Sequence, residues 1–151
     1  MTTNDPISDL YSRRILALAA DIAHLGRLAH PDASARVVSR LCGSELTADL
    51  IVKDGVITDF AQEVKACVLG QAAAAIVGRH VIGSHTDEMR ELARDMTAML
   101  KDGAPPPKDA KWSDLALLEG VRDYKARHGS TLLIFNAITN CLDEIDARRA
   151  Q

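Results

Sequence analysis

Aromatic side chains are scarce in this sequence, with one Trp, two Tyr and two Phe among 151 residues. The core must therefore come from Leu, Ile, Val and many alanines, which favours tight packing of small residues over aromatic stacking. No cluster of basic residues interleaved with aromatics occurs, and the net charge is only −3, so nucleic acid is excluded as an expected partner. No apolar run approaches the roughly 20 residues a membrane helix needs, so no membrane association is expected. Met1 to Pro6 is polar and lacks the basic-then-apolar order of a secretory signal. Cysteines number three, and no two form a CxxC pair. An odd, scattered set makes a poor disulfide framework and argues against zinc fingers and thioredoxin-type redox sites. Free thiols in a reducing, cytoplasmic setting follow. The five histidines, at 24, 30, 80, 85 and 128, form no HExxH or HxxxH arrangement, and GxGxxG, Walker and GxSxG motifs are missing. Conventional catalysis has no motif to stand on, and the chain reads as a non-enzyme.

What is present suits one domain spanning residues 1–151, long enough to bury a core. Apolar residues at helical spacing (Ile7, Leu10, Tyr11, Ile15, Leu18, Ile22) predict a first helix from Ile7 to Leu25. Ser8 and Asp9 sit near its start, where acceptors and negative charge suit a helix N-terminus. His30-Pro31-Asp32 ends the pattern. From Ala33 the character turns to β: a first strand over 36–41, then 45–53 with Leu46, Ala48, Leu50 and Val52 on one face. Asp54-Gly55 is a hairpin signal, because Gly accepts positive φ without steric cost. A third strand over 56–64 completes an antiparallel meander with one face needing cover. Helices over 67–81 and 86–100 supply that cover, the first through Ala72 to Ala75, whose small side chains permit close approach. Gly103 to Pro107 is a loop. Ser113 caps a short helix through Val121, and a last helix runs from Ser130 to Arg148. The fold class is α+β: a three-stranded antiparallel sheet with helices packed on one face.

The chemistry rests on the cysteines. Cys42, in Leu41-Cys42-Gly43-Ser44, lies in a turn between two strands; it reads as an exposed reactive thiol or as a small apolar residue at a strand end. Cys67 sits where the third strand hands over to a helix, directly after Lys65-Ala66. In a first helical turn, the unpaired N–H groups, the dipole and a neighbouring ammonium all favour a thiolate, the form that acts as nucleophile or metal ligand. Its alternative is a buried thiol facing the sheet. Cys141 falls in register with Ile134, Ile138 and Ile145, a stripe that predicts core packing.

The order Cys42-Gly43-Ser44, Asp54-Gly55-Val56-Ile57, Phe60 and Ala66-Cys67, trailed by Ala72 to Ala75, resembles the U-type iron–sulfur scaffold family (IscU, SufU and NifU N-terminal proteins). The cysteine separation of 25 positions also matches. Trp112-Ser113-Asp114-Leu115, Leu118-Glu119-Gly120-Val121-Arg122 and Ala126-Arg127 resemble the SufU branch in particular. The likeness spans about Leu10 to Ile138. It implies iron or a [2Fe–2S] cluster held by Cys42 and Cys67, with zinc as an alternative occupant. The implied partners are a cysteine desulfurase and iron–sulfur acceptor proteins.

Two positions depart from the family pattern. Its ligand aspartate is Ser44 here, and its third cysteine aligns with Ser130 in Arg127-His128-Gly129-Ser130. Cys141 does not replace Ser130, because eleven helical positions put it about 16 Å further along the axis. Two thiolates are half of the usual four cluster ligands. His128 as a metal ligand, a cluster bridging a homodimer, or an exogenous thiol would complete the set. Three functions are therefore open: a scaffold or carrier, a persulfide acceptor without stable metal, and an interaction or regulatory module that has lost the chemistry.

Overall fold

The computed structural model describes residues 11–150; Ile7, Ser8 and Asp9, expected to open the first helix, lie outside the described residues. Three strands, β1 (Ala33–Ser39), β2 (Ser44–Lys53) and β3 (Val56–Lys65), form an antiparallel sheet in the order β1-β2-β3. The Asp54-Gly55 signal yields the β2–β3 hairpin: both residues take positive φ, 53° and 75°, the two-residue turn that suits strand twist. β1 begins three residues earlier than expected and stops at Ser39. Gly43, at φ 69°, closes the turn that follows, its N–H donating to Ser39 O at 2.9 Å.

The expected alternation holds along β2. Leu46, Ala48, Leu50 and Val52 are buried on the face that meets the helices, paired with Val37, Ala35 and Ala33 of β1 and with Val64, Gln62 and Phe60 of β3. Helix α2 (Val68–His80) and the last helix, α5 (Leu133–Arg149), cover this face. Ala72 to Ala75 are wholly buried. Small residues set the spacing here: a Cβ on Gly78 would stand 2.9 Å from Gln62 Nε2 and displace that amide from its bonds to Ala23 O and Ala74 O.

Helix α1 spans Arg13–Ala19, six residues short of the expected end at Leu25. The difference has a physical cause at the edge of β3. Gln62 N–H donates to His24 O at 2.9 Å, and Gly26 N–H donates to Gln62 O at 2.8 Å. With His24 at φ 61° and Gly26 at φ 126°, the segment pairs with the open strand edge and satisfies its backbone groups.

Helix α3 (Thr86–Asp102) ends at Gly103 in the left-handed conformation, ahead of Pro105 to Pro107, the glycine-then-proline stop the sequence suggested. The expected short helix is instead a 3₁₀ segment, Ala110–Asp123. Asp109, not Ser113, caps it, accepting from Lys111 N–H at 2.9 Å. Buried Trp112 departs from helical geometry at φ −104°, ψ 15°, with its Nε1–H donating to Glu88 Oε2 at 2.9 Å. After a second 3₁₀ turn, Lys125–Arg127, the short helix α4 (His128–Thr131) precedes α5. The single last helix expected from Ser130 is thus two pieces, broken at Leu132 (φ −87°, ψ −2°). Among the described residues no helix is long and apolar enough to cross a membrane.

Candidate functional site

One end of the sheet gathers residues from three stretches of chain. Ser39 closes β1 and Ser44 opens β2, and the two are paired across the ladder. Cys42 is exposed on the turn between them. Cys67, half-buried, is the N-cap of α2 and makes no side-chain capping bond, one residue ahead of the first turn expected for it. Ser130, fully buried, comes from α4.

The contacts form one chain between the two sulfurs. Cys42 Sγ lies 3.2 Å from Ser44 Oγ, Ser130 Oγ donates to Ser44 Oγ at 3.3 Å, and Ser130 Oγ lies 3.1 Å from Cys67 Sγ. The Cys67 N–H also donates to Ser44 Oγ, at 3.3 Å. Residues 42, 44, 67 and 130 therefore converge, although Ser44 and Ser130 are separated by 86 positions in sequence. A fifth group, Ser39 Oγ, sits 3.4 Å from Cys42 Sγ. Sequence reasoning did not single out Ser39, and only its pairing opposite Ser44 reveals its place.

Two glycines make this approach possible. A Cβ on Gly70 of α2 would stand 2.8 Å from Ser130 Oγ and 2.9 Å from Ser130 O. On Gly129 it would stand 2.8 Å from Ser39 Oγ. All three distances are below contact: a larger residue at 70 would press on the Ser130 backbone and push α4 away from the thiols, and one at 129 would displace the Ser39 hydroxyl.

Partial burial alone would raise the Cys42 thiol pKa. The hydroxyls of Ser39 and Ser44, the Ser44 N–H and the Ser130 hydroxyl outweigh it by bonding to the thiolate, and lower the pKa to about 7. Cys42 is thus a nucleophile at neutral pH. The Lys65 ammonium sits 3.9 Å from Glu45 Oε1.

His128 is buried. Its Nε2 lies 3.0 Å from both Val121 O and Arg122 O, so this nitrogen carries the proton and donates. Among the described residues, no three His, Cys, Asp or Glu side chains gather as a metal site. The sulfur pair is instead completed by hydroxyls, which bond well to sulfur anions and are weaker partners for a soft metal. Cys141 is wholly buried in the stripe with Ile134, Ile138 and Ile145, as its spacing predicts.

Comparison with known proteins places this geometry in context. Residues 10–131 match the NifU-like N terminal domain family. The chain is 26% identical over 136 residues to the iron-sulfur cluster assembly scaffold protein IscU of Thermotoga maritima, covering 90% of this chain and 94% of that protein. Among solved structures, a nitrogen-fixing NifU-like protein (N-terminal) from Brucella abortus superposes with a TM-score of 0.92 at 48% identity, covering 95% of this chain and 99% of that one. FiSufU from Fervidobacterium islandicum AW-1 shares the fold, with a TM-score of 0.79 at 20% identity over 88% of this chain and 96% of that one.

Proposed function

The chain belongs to the NifU-like N-terminal domain family, and from that premise we propose that it is an iron–sulfur cluster assembly scaffold, not an enzyme, whose working groups are Cys42 and Cys67. The observation that carries the assignment is the convergence of both sulfurs on the Ser44–Ser130 hydroxyl pair at one end of the sheet. In this reading iron, or a [2Fe–2S] cluster, is cargo. Each chain supplies two thiolates, so a cluster bridging two copies receives the four sulfur ligands it usually takes. The role of third donor expected for His128 is left out of this reading, because its Nε2 is committed to two carbonyls and no three such donors gather among the described residues. A cysteine desulfurase supplies sulfur and acceptor proteins take the product, in a reducing cytoplasmic setting.

Anaerobic reconstitution with ferrous iron and sulfide tests this reading. The wild type should retain iron with the visible absorption of a cluster, at one cluster per two chains, and Cys42→Ser and Cys67→Ser should each abolish retention. Unchanged iron in both variants would overturn the assignment.

A second reading, a persulfide acceptor that holds no stable metal, is favoured by the hydroxyls at both positions where the resemblance expects an aspartate and a third cysteine. It needs thiols and hydrogen-bond donors only, and these are what surround Cys42.

A further inference from the structure

Resting on the sulfur-handling part of the function above, we propose that Cys42 and Cys67 are two stations of a relay, in which sulfane sulfur passes from Cys42 to Cys67 while a proton returns through Ser130 and Ser44. Three features carry it: the difference in exposure of the two thiols, the unbroken line of contacts between them, and the chemical nature of the two groups in that line.

Cys42 stands on an exposed turn beside Leu41, which is 79% exposed. It is the thiol that an incoming persulfide meets first. Cys67 is half-buried at the start of α2, a better place to keep a reactive sulfur from solvent. Two side chains, Ser44 and Ser130, both buried, link them through contacts of 3.2, 3.3 and 3.1 Å. A hydroxyl can accept one proton and donate another at the same moment, which an ionised carboxylate cannot do. The serines therefore suit a relay in a way that the aspartate expected at position 44 would not. A cysteine at 130 would add a third nucleophile between the stations.

The chemistry balances without an external oxidant. In the first step the Cys42 thiolate attacks the outer sulfur of a donor persulfide. The donor's S–S bond breaks and its thiolate departs, leaving Cys42–S–SH. In the second step Cys67 Sγ attacks that outer sulfur, which extends about 2.05 Å beyond Cys42 Sγ. As the new S–S bond forms, the Cys67 thiol gives its proton to Ser130 Oγ, Ser130 passes its own to Ser44 Oγ, and Ser44 passes its own to Cys42 Sγ. The bond between Cys42 and the outer sulfur breaks with its electron pair going to Cys42. The products are Cys42–SH and Cys67–S–SH, so one S–S bond is lost, one is gained and no net charge moves.

The test loads the full chain with glutathione persulfide, quenches with an alkylating agent at successive times, and locates the extra sulfur by peptide mass spectrometry. In the wild type the label should appear at Cys42 first and at Cys67 later. Cys42→Ser should slow labelling of Cys67 at least about tenfold, and Cys67→Ser should leave the label on Cys42. Ser130→Ala should slow the second transfer by about 100-fold, the usual scale for losing a positioned proton carrier, and slow the first far less, through its weaker hold on the Cys42 thiolate, so the ratio of the two rates is the readout. Ser44→Ala provides the same readout from the other side should removal of buried Ser130 unfold the chain, and circular dichroism monitors both. Labelling of Cys67 at the wild-type rate in Cys42→Ser, or an unchanged second transfer in a folded serine variant, would overturn the relay. Iron retention measured on the same preparations separates the two ideas: a failed relay with iron retained leaves the scaffold standing, and a working relay without iron removes the cluster from it.

Discussion

The end of the sheet and its middle treat sulfur in opposite ways. At the end, Cys42 is exposed, ringed by three serine hydroxyls, and held at a pKa of about 7. In the middle, Cys141 is fully buried with its thiol donating to Ala48 O at 3.4 Å. Burial there, with the negative charges of Glu144 and Asp49 adding to it, pushes the thiol up to about 12. The same chain thus makes one cysteine a nucleophile and another inert, using environment alone. What separates the two is burial against the supply of donors: three hydroxyls and the Ser44 N–H outweigh burial at the end, whereas in the middle the one backbone bond from Ala35 does not.

The largest effect expected from this contrast is in alkylation. At pH 7 about half of the Cys42 population is thiolate, and Cys141 carries on the order of one in 10⁵. Iodoacetamide should modify Cys42 at least about 10³-fold faster than Cys141 in the native protein, read by peptide mass spectrometry. The rate at Cys42 should rise with pH through about 7 and then level. In denaturant the two rates should converge. Similar native rates would erase the distinction between end and middle.

A smaller effect concerns the charge at the middle of the sheet. Asp49 faces away from the helices yet its side chain is wholly buried, because the segment after α1 folds back over it. Arg27 grips both carboxylate oxygens at 2.8 and 3.1 Å, Ser34 Oγ–H donates at 2.6 Å, and Leu28 N–H donates at 2.9 Å. Burial alone would raise the carboxyl pKa, but the bonds from Arg27, Ser34 and Leu28, with the Arg27 charge, hold it below its ordinary 3.8. A depressed folded value means stability that is present in full above the unfolded pKa and lost as pH falls through the folded one. Asp49→Asn should cost about 2–3 kcal/mol at pH 7 in urea titration, and the cost should shrink as pH drops below about 4. A pH-independent loss would show that packing, not charge, ties this segment down. Cys42 chemistry should not change in this variant, since the clamp and the thiol share no contact.

How much of this was legible in the sequence divides along the same line. The middle follows local rules: Asp54-Gly55 gives the hairpin, the period-two pattern of 46, 48, 50 and 52 gives the covered face, and the helical stripe gives Cys141. The end depends on groups distant in sequence. Motif order put Cys42 and Cys67 together, but Ser39 carries no motif, and its position opposite Ser44 appears only when the strands pair. The early end of α1 was hidden because periodicity from Ile15 to Ile22 continues past the point where the β3 edge captures the backbone. The kink at Trp112 within Ala110–Asp123 was likewise hidden, because the indole's partner, Glu88, belongs to another element. The burial of His128 could not be read in advance, because its partners are main-chain carbonyls, which leave no trace in residue identity.

The smallest effect sharpens the contrast from the inert side. Cys141 touches the reactive end through no side chain, and its sulfur fills space among Ile138, Leu142 and Ile145 under the sheet. Cys141→Ala removes one large atom from a closed core and one weak bond to Ala48 O, a loss of roughly 1–2 kcal/mol after partial collapse of the cavity. Urea titration should register that loss. Iron retention in reconstitution, the alkylation rate of Cys42 and the time course of persulfide labelling should all match the wild type. Each of these readouts draws only on the five groups gathered at the sheet end, so a change in any of them would mean that the two regions are coupled through β2, the strand that carries Ser44 at one end and Ala48 at its middle.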